Sequence, residues 1–212
     1  GGLAAFSLTA TPATCVKLAL GALLPQKPDL VVSGINRDQN LGMVTYISGT
    51  VAGAREAALQ GIPAIAVSLL LGRTGELDYG PAAHYTLKIA TAVKERGLEP
   101  GTFLNVNVPA GPAEAIKGIR VTTQSALAGT ETFIEHARPP MGRRYFWNTY
   151  DGPHGGAEGD DVWAVYQGYV AVTPLRVGEF DRKTYEAWKG ILKSAGGGRS
   201  ACGPRGARVR ER

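Results

Sequence analysis

The chain has 212 residues, 44% hydrophobic and 19% charged, the balance of an ordinary globular domain large enough for a substantial core. Its formal net charge of +5 is concentrated at one end: Arg199, Arg205, Arg208, Arg210 and Arg212 against Glu211 account for +4 of it. A nearly neutral body has no basic stripe with which to coat a nucleic acid. No apolar run approaches the roughly 20 residues that span a bilayer, and Cys15 and Cys202 make no disulfide framework, so a reducing cytoplasm is the default compartment.

In chain order, Thr11-Pro12 starts a helix, with Thr11 as cap and Pro12 in the first position, running to about residue 24, where Pro25 stops it. Residues 29–35 form a continuous apolar run, the pattern of a strand buried on both faces. A helix is predicted over 49–59, ended by Gly61, then a second buried strand over 62–70, an amphipathic helix over 81–96 and a third strand over 103–108. Strands alternating with helices predict an α/β fold: a Rossmann-like, mostly parallel sheet flanked by helices. The second half is β-rich and divided by Gly and Pro. Segments 119–123, 132–136, 144–149 and 169–174 predict hairpins and an arm appended to the sheet. An amphipathic helix over 180–194, carrying Tyr185, Trp188, Ile191 and Leu192, closes the fold. The predicted domain covers 1–195, followed by a basic, Gly/Arg-rich disordered tail over 196–212.

The chemistry is expected between the first strand and the second helix. Asn36 stands at the carboxyl end of a strand, where open α/β sheets bind ligands, and its amide oxygen is a hard neutral donor suited to magnesium or manganese. Asn40 can hold a second ligand oxygen. Ser48, Gly49 and Thr50 stand where the next helix begins, so free backbone N–H groups, a positive dipole end and two hydroxyls converge on a phosphate-sized anion site. Ser48 as a plain helix cap and the asparagines as turn formers are the competing structural roles.

Other chemistries lack their residues. There is no GxxxxGK[ST] loop and no G-x-S-x-G elbow, and His84, His136 and His154 show no metal-ligand spacing. Asp160-Asp161 reads as the cap of a short helix, with Trp163 and Tyr166 as core.

Pro28 through Asn36, Asn40-Leu41-Gly42, Ser48 through Glu56 and Gly61 through Ser68 together resemble the SurE family of survival-protein nucleotidases. Leu104 through Pro109, Lys117 through Thr122, and Asp161 with Gly168 through Leu175 are similar to the family's later segments, in order. The resemblance implies a metal-dependent 5′/3′-nucleotidase that hydrolyses nucleoside monophosphates to nucleoside and phosphate. It also implies a divalent ion, Mg2+ or Mn2+, and a homodimer or higher homo-oligomer with an exchanged arm or tail. Of the family's metal ligands only the asparagine maps here, onto Asn36; on that reading, Asn40, Ser48, Gly49 and Thr50 hold phosphate oxygens and stabilise developing charge as catalytic residues. The family's paired aspartates and a further serine ligand correspond to positions upstream of Gly1, so the expectation is a fragment of a longer product or a mispredicted start. A non-catalytic homologue that binds anions or serves as an oligomeric scaffold is the alternative. Asp38 stands where the family usually has Gly, and Ile47 where it has Tyr, which leaves the preferred nucleotide open.

Overall fold

A computed structural model describes residues 4–72, 77–136 and 144–195; the predicted tail over 196–212 lies outside them. The chain divides into a unit of Gly1–Val177 and a unit of Gly178–Arg212.

In the first unit, helix α1 (Pro12–Leu18) starts as its sequence dictates, with the Thr11 side chain accepting from the Thr14 N–H, and then widens into a π turn over Ala19–Leu23. Strand β1 (Val31–Arg37), helix α2 (Gly49–Leu59), strand β2 (Ala64–Leu69), helix α3 (Gly80–Arg96) and strand β3 (Thr102–Val108) follow, within two residues of their predicted limits. The three strands pair in parallel, β1 with β2 and β2 with β3. Val51, Ala54, Ala57 and Ala58 of α2 pack on Ala64, Ala66 and Phe103 from one face of the sheet. Ile89 and Val93 of α3 cover Ile65, Val67, Leu104 and Val106 on the other. These two apolar layers around a mostly parallel sheet are the expected α/β architecture.

Two sequence expectations are corrected. The first strand is not buried on both faces: among the described residues β1 is an edge strand with alternating exposure, and Val32 is 44% exposed. An apolar run does not say whether a strand sits in the middle or at the edge, because that depends on which neighbours pair with it. The later β segments also do not all form hairpins. Strands β4 (Ile119–Val121) and β7 (Val170–Arg176) complete the main sheet in the order β1-β2-β3-β7-β4. Strand β7 runs antiparallel to β3 and parallel to β4, and Val170 and Ala171 are wholly buried. Among the described residues, only β5 (Thr130–His136) and β6 (Tyr145–Asp151) make the separate two-stranded arm. Between that arm and β7 lies the short helix α4 (Asp161–Tyr166).

The second unit holds helix α5 (Arg182–Ala195), whose first turn is capped by Asp181 accepting from the backbone N–H groups of Lys183 and Thr184. Among the described residues, no helix is long and apolar enough to cross a membrane.

Candidate active site

The site lies where the chain leaves β1. Gly34 has φ +137°, and a Cβ there would stand 2.5 Å from the carbonyl oxygen of Val67. Only glycine lets β1 come this close to β2, and the pairing register shifts between Ser33 and Asn36. Beyond the shift the Asn36 amide is held from both ends. Its Nδ2 donates to the backbone carbonyls of Arg37 at 3.0 Å and Asp38 at 2.8 Å, and its Oδ1 accepts from the Thr50 hydroxyl at 3.1 Å. Sequence positions 36 and 50 are thereby brought together across the strand–helix junction, as anticipated. Asp38, at φ +79°, turns its carboxylate back to accept from the N–H of Gln39 at 2.8 Å.

Helix α2 opens at the same place. Ser48 is buried and its Oγ accepts from the Val51 N–H at 3.1 Å, so its hydroxyl oxygen does serve as the cap. Gly49 is exposed, and the Pro12 ring approaches to 3.4 Å of where a Cβ would stand. The first amides of a helix have no partner within it. Exposed Gly49 and half-buried Thr50 are thus positioned to offer N–H groups to an anion, with the helix dipole behind them.

Asn40 takes a different place from the one its sequence position implied. It is buried; its N–H donates to Asn107 Oδ1 at 2.8 Å, and its carbonyl accepts from Asn105 Nδ2 at 2.8 Å and Asn107 Nδ2 at 3.1 Å. Its own Nδ2 donates to the Ser68 hydroxyl at 2.7 Å. The physical reason is the sheet: β2 and β3 pair Ser68 with Asn107, Asn105 stands two residues before it on β3, and a buried loop backbone must find partners. These hydrogen bonds tie Asn40 to β2 and β3, and none of them goes to Ser48, Gly49 or Thr50. Asn105 and Asn107 lie inside the predicted third strand, and two asparagines alternating with apolar residues there are the signal in the sequence.

A second group escaped sequence reasoning. Asp160 caps α4 as expected, accepting from the Trp163 N–H at 2.7 Å. Its neighbour Asp161 is wholly buried and accepts from three backbone N–H groups: Gly42 at 2.9 Å, Ser125 at 2.9 Å and Val162 at 3.0 Å. Burial pushes the Asp161 carboxyl above its ordinary value, and the three N–H donors oppose that rise. Tyr166 is more exposed than a core residue, and its hydroxyl accepts from Gln39 Nε2 at 3.2 Å.

The oxygens present fall short of what a divalent ion needs. Among the described residues, no group of three or more His, Cys, Asp or Glu side chains converges. The metal-type oxygen, Asn36 Oδ1, is neutral and has a hydroxyl for its neighbour. Hard cations draw most of their affinity from carboxylates. The described residues therefore do not amount to a divalent-metal site, while they do offer an anion the open end of a helix.

Residues 1–130 match the family model described as Survival protein SurE. The 5′-nucleotidase SurE of Geotalea daltonii is 47% identical over 173 residues, covering 81% of this chain and 69% of that protein. The 5′-nucleotidase SurE 1 of Thermus thermophilus is 44% identical over 194 residues, covering 91% of this chain and 74% of that protein. Among solved structures, the SurE protein from Aquifex aeolicus superimposes with a TM-score of 0.72 at 39% identity, covering 87% of this chain and 74% of that one.

Proposed function

The chain belongs to the SurE family, and from that premise we propose that it works as a metal-dependent nucleotidase, hydrolysing nucleoside monophosphates to nucleoside and phosphate. The observation that carries the proposal is the junction of Asn36 with Thr50 at the open, Ser48-capped end of α2. An anion held there would meet the Gly49 and Thr50 amides and the helix dipole together, while the Thr50 hydroxyl holds Asn36 in place.

Hydrolysis replaces the ester oxygen on phosphorus by a water oxygen, and the nucleoside leaves as an alcohol. Charge grows on the phosphoryl oxygens along the way. Donors already fixed in place stabilise that charge without reorganising, which is the role given to Ser48, Gly49 and Thr50. Asn40 serves by anchoring the loop that presents them. Asn36 would contribute one neutral oxygen toward Mg2+ or Mn2+, the ion such an enzyme would use, and the described residues do not complete its site. The proposal also places the enzyme in the cytoplasm, which its two cysteines suit, as a homodimer or higher homo-oligomer.

Phosphate release from a panel of nucleoside monophosphates, with Mn2+, Mg2+ or EDTA, tests the proposal on the native chain and Asn36→Ala. Metal-dependent turnover that falls in the variant supports it. A folded chain whose 49–51 amides ignore inorganic phosphate, and which turns over none of the panel, refutes it.

A further inference from the structure

Hydrogen bonds from Asp161 hold one end of the turn whose backbone runs directly into the start of α2. Its Oδ2 holds the Gly42 N–H, 119 residues earlier in the chain, and its Oδ1 holds that of Ser125. Gly42 opens the 3-10 turn Gly42–Tyr46 at φ +54°, where a Cβ would stand 2.3 Å from the Leu127 carbonyl oxygen. The Met43 N–H donates to that same carbonyl at 2.9 Å. Gln124 Nε2 then reaches the Gly42 carbonyl at 3.0 Å and the Thr45 hydroxyl at 2.8 Å, and that hydroxyl donates to the Gly42 carbonyl at 2.9 Å. At the far side of the turn, the N–H groups of Ile47 and Ser48 both donate to the Val44 carbonyl at 3.1 Å. The next residues are Gly49 and Thr50.

We infer that Asp161 is a positioning residue for the phosphate site: its two carboxylate oxygens clamp the Gly42–Tyr46 turn to the 122–127 segment and so fix where Ser48, Gly49 and Thr50 stand. A carboxylate is the side chain that this task requires. Each oxygen receives an N–H from a different segment, and an anionic acceptor makes the stronger bond. An asparagine has one acceptor oxygen, so its NH2 would confront either Gly42 or Ser125. Capping of α4 falls to Asp160, which accepts from Trp163 and Ala157, and leaves Asp161 free for the clamp. The inference rests on the reading of the α2 terminus as the phosphate site.

The full chain is compared in three forms: native, Asp161→Asn, and Asp160→Ala, which weakens the same helix without touching the turn. Amide hydrogen exchange is followed at Met43, Val44, Ile47 and Ser48, and inorganic phosphate is titrated against the amides of residues 49–51. Asp161→Asn is expected to speed exchange in the turn by about tenfold or more and to weaken phosphate by about tenfold, the scale of a lost hydrogen bond to a charged group. Asp160→Ala should leave both within about twofold, because it shares no partner with the turn. Equal effects from the two variants, or native phosphate affinity in Asp161→Asn, would overturn the positioning role. A native chain that ignores phosphate at these amides would instead bring down the phosphate-site reading, and the inference with it.

Discussion

The Thr50 hydroxyl donates to Asn36 Oδ1 at 3.1 Å, tying the carboxyl end of the edge strand to the first turn of the helix after it. With both Asn36 Nδ2 hydrogens engaged by the carbonyls of Arg37 and Asp38, the amide has one orientation, and its oxygen faces the Thr50 hydroxyl. Removing the hydroxyl leaves that oxygen without its donor. Thr50→Val should lower kcat/KM roughly two- to tenfold, the worth of one neutral hydrogen bond, while Thr50→Ser stays near native. A valine variant with native kinetics would show that the contact does not matter.

The capping role of Ser48 can be separated from its proposed place at the anion site. As a cap, its loss in Ser48→Ala should cost about 1 kcal/mol of stability in urea unfolding. Ser48→Asp keeps a good cap and should hold stability near native, yet it brings a negative charge to the anion site. Phosphate binding should therefore fall in the aspartate variant without a loss of stability. Unchanged phosphate affinity in Ser48→Asp would separate this terminus from the substrate.

At Gly34 a side chain meets both an unfavourable φ of +137° and the Val67 carbonyl oxygen at 2.5 Å. Gly118, at φ +120°, has nothing within 4 Å. Gly118→Ala should show backbone strain alone, about 1–3 kcal/mol, and Gly34→Ala visibly more, because β1 must also move off β2. Comparable unfolding midpoints for the two variants would contradict the close approach.

Asn107 serves the Asn40 backbone twice, as acceptor and as donor. Asn107→Leu keeps the volume and strands a buried N–H, which should cost about 1–3 kcal/mol. The loss should show in thermal unfolding before any effect on phosphate affinity. A leucine variant of native stability would mean that the loop finds other partners.

Asp161 gives a pH signature of fixed sign. Its carboxyl is raised in the folded protein, first by burial, from an ordinary value of 3.8. The native state then holds its proton to higher pH than the unfolded chain does, so this group's contribution to stability falls as pH climbs from the ordinary value through the raised one. Asp161→Asn does not titrate. The stability advantage of native over Asp161→Asn should therefore shrink across that interval and level off above it. Denaturant midpoints of both proteins from pH 3 upward, taken at about half-unit steps, check the slope; a widening advantage would reverse the assigned direction.

Local pattern was enough for much of this protein. The spacing of apolar residues marked the alternating strands and helices of the first half, Thr11-Pro12 marked the start of α1, and Ser48 marked that of α2, because caps and periodicity are properties of neighbours in the chain. The order of the motifs likewise pointed to the family. What pairs across the sheet is not written locally. That β1 lies at an edge among the described residues, that β7 enters between β3 and β4, and that Asn40 turns inward to Ser68, Asn105 and Asn107 each depend on residues tens of positions away. Asp161 shows the same limit most plainly. Beside Asp160 before a short helix it looks like half of a cap, and only the folded chain brings Gly42 and Ser125 to its two oxygens, because buried N–H groups must be answered by whatever acceptor the packing delivers.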